Sequence, residues 1–464
     1  MNFPDHIKLL LKLYSEDNPL YLVGGAVRDA VLRRPYSDFD IVCTQKTREI
    51  ARHYAALTDS AFFVLDEERD TCRVLAKAAG ETVTCVDFAA LRGGSIDADL
   101  FERDFTINAM AFDLTQADRI IDPTKGGRDL LEKWLRPVKP TSLHDDPVRT
   151  IRAIRYASDL GLRIEPETIS LIQSAADLLD KVSTERKRDE VIKILEGKNV
   201  PAGIHLLGHL GLFEKIPLSG ATDLHAAIGL ARTLEEVIAW ISGCKPINQQ
   251  AALYQVTMLI RLSRFSDYLK PHFSKRNSTG HSRKALLHLA SLAGDEANLV
   301  SIQLGLSREE SRYIEVLSQA KSRISSLLQA GQHLEDVDVY RYFKTTNSTG
   351  IDLAIIEIAR YAARIGAEFS PVEWEDLVRV CESLIEAWYE HPDVINPILP
   401  VDGNDLMEVL GCEPGPIIGE CLEALREESI RLAGFTRQQA LDWAQGWFAD
   451  LHKIYPPSLG ENQQ

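Results

Sequence analysis

Two glycines, an arginine and two aspartates crowd into one stretch of the chain, YLVGGAVRDAVLRRPYSDFDIV at 21–42. The apolar run from Leu20 to Val23 reads as a buried strand. It runs straight into Gly24 and Gly25, and a helix-like stretch follows from Ala26. A strand, two glycines and a helix start make a phosphate cradle. Glycine lets the backbone approach an anion, and first-turn N–H groups point at it. Arg28, in that first turn, can add a bidentate grip. A second strand carries Asp38 and Asp40 two residues apart, so both carboxylates share a face while Phe39 and Ile41 turn to the core. Paired carboxylates beside a phosphate cradle are what a two-metal phosphoryl transfer needs. Gly-Gly or Asp-x-Asp alone is a weak signal; their order and tight spacing are a strong one.

The elements around this stretch alternate strand and helix as far as residue 135. A helix is predicted over Thr47–Leu57, then strands over 61–67, 71–78 and 81–91, with Gly80 at the turn between the last two. Alternation on the last strand puts Val83, Cys85 and Asp87 on one face. Asp87 is therefore either a third carboxylate of the cleft or a strand-end surface aspartate. DADLFERDFTINAMAFDL (97–114) reads as a partly buried helix feeding a strand, with an unusual Arg103–Asp104 pair in that setting. Residues 120–138 give a strand, a Gly-Gly turn and a short helix.

From Pro140 the strand signals stop. HDDPVRTIRAIRYASDLGL (144–162) is a helix with Asp146 at the N-cap, Pro147 at the first helical position and Gly161 as the stop. Arg149, Arg152 and Arg155 recur every third residue and so drift slowly around one side. STERKRDEVIKILEG (183–197) is a second basic amphipathic helix. Further helices fill 200–385, with loops near Gly220, Gly243 and Asn277. Within them KPHFSKRNSTGHSRK (270–284) is basic, polar and helix-breaking, and reads as an exposed connector, with RNA contact as its alternative. A Pro-rich stretch at 391–403 sets off a last helical unit.

Composition narrows the class. The 464 residues carry 52 basic and 68 acidic side chains, a net charge of −16. That argues against a non-specific nucleic-acid binder, which is usually basic overall, but leaves local basic surfaces open. No apolar run of about 18 residues exists, so no membrane helix is expected. The N-terminal segment reads as an amphipathic helix rather than a signal peptide. Seven scattered cysteines (Cys43, Cys72, Cys85, Cys244, Cys381, Cys412 and Cys421), without a C-x-x-C pair, fit a reducing, cytoplasmic setting.

Five stretches then occur in one order: LVGGAVRD with SDFDIV, ERDFTINAMAFDL, IDPTKGGRDLLEKWLRPV, DDPVRTIRAIRYASDLGL and TERKRDEVIKIL. In these motifs the chain resembles the class II tRNA nucleotidyltransferases, the CCA-adding enzymes, and the closely similar bacterial poly(A) polymerases. A weaker likeness at 401–425 extends to the tail of many bacterial members. The resemblance implies an α+β fold. A polymerase-β-like nucleotidyltransferase head with a mixed β-sheet (1–138) would precede an all-α neck (139–200), body (201–390) and tail (391–464).

The resemblance also implies roles. Asp38 and Asp40 would hold two Mg²⁺ ions, and Gly24, Gly25 and Arg28 the triphosphate. Arg103 and Asp104 match the end of the family's Arg-Arg-Asp motif, associated with ribose recognition, but Glu102 stands where the first arginine is usual. Asp145, Asp146 and Arg149 match its Glu-Asp-x-x-Arg base-reading motif, with Asp145 for glutamate; Arg152 and Arg155 extend that basic side toward the nucleotide. Physical chemistry supports the base-reading role independently. Cytosine and adenine both offer an amino donor beside a ring-nitrogen acceptor, which a carboxylate and a guanidinium match. Guanine and uracil present the reverse pattern and are rejected. The expected activity is transfer of C and/or A from CTP or ATP to a tRNA 3′ end with release of pyrophosphate. The short segment between Asp87 and Arg103 leaves CC-adding or A-adding specificity open. A poly(A) polymerase and a catalytically idle RNA-binding protein are the alternatives.

Overall fold

The 20–23 run is strand β1 (Leu20–Val23), buried as its composition requires. It sits in a seven-stranded sheet with β2 (Asp38–Cys43), β3 (Ala61–Asp66), β4 (Thr71–Lys77), β5 (Val83–Ala90), β6 (Ala111–Asp113) and β7 (Ile120–Ile121), in the order β3-β4-β5-β2-β1-β6-β7. Every neighbouring pair is antiparallel except β2 and β5, which run parallel, so the sheet is mixed as expected. These features come from a computed structural model that describes residues 5–36, 38–77, 83–114, 119–216, 218, 224–243, 260–329, 334–363, 369–432 and 434–454. Ser37, Cys244 and the turns predicted at Gly80 and Gly220 lie outside these residues.

Alternation decides which face carries chemistry. Phe39 and Ile41 on β2 and Val86 and Phe88 on β5 are fully buried. The helix Thr47–Leu57 lays Ile50, Ala51, Tyr54 and Ala55 against the sheet, with Tyr54 5.5 Å from the Phe88 ring. Asp38, Asp40 and Asp87 therefore fall on the opposite face.

Several expectations need correction. Gly126 and Gly127 do not make a turn. Lys125 takes the left-handed conformation (φ 65°), and the glycines open the helix Gly126–Glu132. Gly126 is required there, because a Cβ would lie 1.9 Å from the Thr106 carbonyl oxygen. Strands do not end at Pro140 either: Arg163–Ile164 (β9) pairs in parallel with Trp134–Leu135 (β8). These two-residue strands leave no periodicity to read. The helix beyond them covers Val148–Leu160, with Pro147 rather than Asp146 in the capping position and no side-chain cap; Gly161 does stop it, at φ 65°. Thr184–Glu196 is helical as predicted.

The chain divides into two compact units, Met1–Leu218 and Ser219–Gln464. Every described element of the second unit is helical. Its Ser266–Ser274 helix runs through Pro271, so the basic connector is shorter than expected, lying between Ser274 and Arg283. Near the C-terminus three helices, Gly403–Leu410, Pro416–Arg431 and Arg437–Ile454, share a core of Leu406, Ile418, Cys421, Leu425, Ala440 and Ala444. Among the described residues no helix is long and apolar enough to cross a membrane, and six cysteines are free thiols.

Candidate active site

β2 and β5 pair so that Asp40 stands opposite Asp87 and Asp38 opposite Cys85. Asp40 lies directly under the glycine turn: a Cβ on Gly24 would meet Asp40 Oδ2 at 3.0 Å and Arg103 Nη1 at 3.2 Å. Gly24 also has φ 73°, which L side chains rarely adopt. Crowding by the surrounding protein raises the Asp40 pKa; Arg103 pulls it down, and Asp87 and Asp38 push it further up. Asp40 thus sits where a further cation would relieve the repulsion of Asp87 and Asp38. Among the described residues no group of three His, Cys, Asp or Glu side chains is arranged to hold a metal by itself. The donor set is two carboxylates open to further oxygen ligands, which is the chemistry that Mg²⁺ shared with phosphate oxygens takes.

The neighbours of this pair are partly committed. Asp87 is on the expected face, but Arg73 holds both its oxygens, Nε to Oδ1 at 2.8 Å and Nη2 to Oδ2 at 2.8 Å. It is a charge neighbour of Asp40 rather than an open ligand. Arg28 is also partly engaged. Its Nε and Nη2 donate to Asp29 at 3.0 and 2.8 Å, and Nη1 donates to Asn108 Oδ1 at 2.8 Å. Burial lowers the Arg28 pKa, but Asp29, Tyr156 and Asp104 together more than reverse that. At the turn, the Gly24 N–H donates to the Met110 carbonyl at 3.3 Å, and the first helical bond runs from Arg28 N–H to Gly24 O at 3.2 Å. The N–H groups of Gly25, Ala26 and Val27 precede that bond. The guanidinium that does face the turn belongs to Arg103, held from behind by buried Asp99 at 3.1 and 3.2 Å.

Asp104 is buried. Its Oδ1 accepts from the Phe105 N–H and Asn108, and Arg152 lies 3.0 Å from its Oδ2. Burial alone would raise its pKa; Arg152, Asn108, Phe105 N–H and Arg149 hold it below the ordinary carboxylate range. Arg152 also donates to the Tyr156 hydroxyl at 3.0 Å, and Arg155 pairs with Glu190 at 3.1 Å. Arg28, Arg152 and Arg155 all lie within 6 Å of the Tyr156 ring centre. Arg152 therefore braces Asp104 against the helix Val148–Leu160, and Arg155 ties that helix to Thr184–Glu196.

Asp146 and Arg149 open onto a cleft of about 850 Å³, lined also by Arg69, Leu91, Arg92, Glu102 and Arg186. Arg186 donates to Asp146 Oδ2 at 2.8 Å, while Arg149 Nε is 3.8 Å from the same oxygen. Arg149 makes only long bonds, to the Ser142 carbonyl (3.4 Å) and the Glu102 carbonyl (3.3 Å). The Glu102 side chain is ion-paired with Lys139 at the rim. Sequence reasoning did not single out Arg73, Asp99, Tyr156 or Arg186. Asp99 had a signal, its i,i+4 spacing to Arg103; the forty residues from Asp146 to Arg186 carry none.

Two family profiles match this first unit: the poly A polymerase head domain over residues 20–136, and the probable RNA and SrmB-binding site of polymerase A over 161–218. The CC-adding tRNA nucleotidyltransferase of Geobacter sulfurreducens is 32% identical over 88% of this chain and 86% of its own length. The A-adding tRNA nucleotidyltransferase of Deinococcus radiodurans is 29% identical over 92% of this chain and 95% of its own. The fold is that of the Thermotoga maritima CCA-adding enzyme in complex with tRNA (TM-score 0.60, 23% identity, covering 96% of this chain and 95% of that one).

Proposed function

Since the chain belongs to the tRNA nucleotidyltransferase family, we propose that it adds nucleotides to a tRNA 3′ end without a template, drawing on CTP and/or ATP and releasing pyrophosphate. The observation that carries this reading is the Asp38–Asp40 pair beneath the Gly24–Gly25 turn, in the same unit as the Asp146–Arg149 cleft. Nucleotidyltransferases are in general metal-dependent, and the two β2 carboxylates fit Mg²⁺. Bound there, the metal would lower the pKa of the attacking 3′-hydroxyl and neutralise triphosphate oxygens.

The rest falls to the chain's own side chains. Gly24 and Gly25 let the triphosphate come close to the backbone. Arg103, braced by Asp99, offers its outer N–H groups to phosphate or ribose oxygens. Arg149 releases its long carbonyl contacts to donate to the ring nitrogen of C or A, while Asp146 accepts from the exocyclic amine. Asp87, occupied by Arg73, positions charge around Asp40.

Two relatives aligned over most of this chain carry split specificities, CC and A, and the segment between Asp87 and Arg103 is short. We favour CC addition, with A addition as the second reading. The test is incorporation by the full-length protein on tRNA transcripts lacking CCA or ending in CC, with CTP and ATP separately and together, followed by sequencing of product ends. Two C residues and no A are expected. A alone on the CC-ending transcript supports the second reading, and long A tails point to a poly(A) polymerase. No Mg²⁺-dependent incorporation on any transcript overturns the enzyme reading in favour of RNA binding.

A further inference from the structure

Three acidic side chains, Glu102, Asp145 and Asp146, line the cleft onto which Arg149 opens. Each is taken by a different group. Asp145 Oδ2 accepts from the Thr141 hydroxyl at 2.9 Å, and Asp146 Oδ2 accepts from Arg186 at 2.8 Å. The Glu102 carboxylate is ion-paired with Lys139. Arg149 is left with its 3.8 Å approach to Asp146 and two long bonds to carbonyls. A guanidinium whose side chain is only 18% exposed, set among three carboxylates, is ordinarily paired closely with one of them. Here it is kept available. A base-reading donor needs that, because an N–H committed to a carboxylate is lost to a ring nitrogen.

Glu102 is the carboxylate placed to end this availability. Its backbone carbonyl already accepts from Arg149 Nη2 at 3.3 Å, so the flexible side chain of the same residue competes directly for that guanidinium. Its backbone is fixed at the end of the helix Ile96–Phe101, where its N–H donates to the Asp99 carbonyl at 3.1 Å. Lys139 is anchored beside it. The Lys139 N–H donates to the Ser142 hydroxyl at 3.2 Å, and its carbonyl accepts from the Ser142 N–H at 3.1 Å. Ser142, itself buried, supplies the other carbonyl that touches Arg149. The Lys139 ammonium therefore reaches Glu102 from a backbone held next to Arg149. An arginine at position 102, the usual residue in the family, would repel Lys139 instead, so this pair is particular to the residues of this chain.

We propose that Lys139 is a positioning residue that sets nucleotide selectivity by holding the Glu102 carboxylate away from Arg149. With Lys139 in place, Arg149 gives up only long carbonyl contacts when a base arrives. Without it, Glu102 closes on Arg149 in a charge-assisted pair, and the base edge must compete with a carboxylate. The inference rests on the base-reading role proposed for Asp146 and Arg149.

The test is kcat and KM for CTP, ATP, UTP and GTP with full-length protein, on tRNA transcripts lacking CCA or ending in CC. It compares wild type, Lys139→Gln, Glu102→Gln and the double variant, with Arg149→Gln and Arg149→Gln/Lys139→Gln beside them. Lys139→Gln should raise KM for the correct nucleotide roughly tenfold and narrow its lead over UTP and GTP by a similar factor, while kcat holds. Its Tm should change little, because the Lys139 and Glu102 side chains are 39% and 54% exposed and such a pair contributes little to folding. Glu102→Gln should stay near wild type. The double variant should recover wild-type selectivity, since the competitor is removed along with its restraint. In the Arg149→Gln background Lys139→Gln should add nothing. Unchanged selectivity in Lys139→Gln overturns the proposal. So does a loss that the double variant retains, which makes Lys139 a direct contact to nucleotide or RNA, or a loss that tracks a marked fall in Tm. Selectivity that falls in Arg149→Gln but not in Lys139→Gln sinks the positioning role alone. Selectivity unchanged in Arg149→Gln sinks the base-reading role, and a wild type that incorporates nothing removes the enzyme reading and this inference with it.

Discussion

Arg186 donates to Asp146 Oδ2 at 2.8 Å, and Arg149 stands 3.8 Å from that same oxygen. The two arginines are thus unequal. Arg186 fixes the direction of the carboxylate, whereas Arg149 has that longer ion pair and two long bonds to carbonyl oxygens, and it can exchange the long bonds for a base edge at little cost.

Arg149→Gln should therefore weaken binding of the correct nucleotide and shrink discrimination against UTP and GTP. A charged hydrogen bond is worth about 1.5–3 kcal/mol, or roughly one to two decades of selectivity. Arg186→Gln should instead raise KM for the correct nucleotide and leave the selectivity ratio largely intact. Comparing kcat/KM for the four nucleotides in both variants decides it. A uniform fall for all four in Arg149→Gln would assign that residue to phosphate or to structure.

Asp38→Ala should abolish transfer, because removing one of two metal-binding carboxylates forfeits several kcal/mol of charge stabilisation in the transition state. Asp40→Asn should do the same with an informative effect on stability. Crowding raises the Asp40 pKa, so the folded state holds its proton more tightly than the unfolded chain. The ionised group then costs stability at neutral pH, and that cost fades as pH falls through the folded pKa. Asp40→Asn should leave thermal stability at pH 7 unchanged or higher while incorporation disappears. Substantial turnover in Mg²⁺, or a marked loss of Tm, counts against this placement of Asp40.

Gly24→Ala tests the close approach. The substitution forces an L side chain to φ 73° and sets a Cβ 3.0 Å from Asp40 Oδ2. A backbone in that region costs on the order of 1–3 kcal/mol. Activity should fall further than stability, because the displaced atoms are the Asp40 carboxylate and the Arg103 guanidinium. Thermal melts beside incorporation assays check this; equal retention of both would show that the turn tolerates a side chain.

What could be read in the chain follows the reach of each signal. The Asp38–Asp40 face was legible because strand alternation is local and strict. So was the helix Thr47–Leu57, whose buried stripe recurs at helical spacing. The partners of the charged groups were not legible. Arg28 looked like a fully open anion grip because its place in the first turn was clear, but its neighbour Asp29 and the distant Asn108 take three of its five N–H donors. Asp146 looked like a helix cap, and the pull of Arg186 from forty residues away gives its side chain another partner. Periodicity places a side chain on a face; it does not say which opposite charge the fold brings to that face.

Glu310 gives the second unit a specific acid sensitivity. Burial alone would raise its pKa, but hydrogen bonds from His281, Ser307 N–H, Asn277 and Thr279 more than reverse this and hold it well below its ordinary 4.5. A carboxyl depressed in the folded state contributes stability that is fully present above its unfolded pKa and is lost as pH falls through the folded one. Glu310→Gln keeps the size of the side chain and removes the charge that collects those donors. It should cost about 2–3 kcal/mol at pH 7. The gap between wild type and variant should hold from neutral pH to about pH 5 and narrow steadily below 4.5. Thermal melts of both proteins at several pH values between 3 and 7 measure that gap. A difference that stays constant down to pH 3 would show that the carboxylate's charge is not what holds the connector, leaving shape and neutral hydrogen bonding to account for its order.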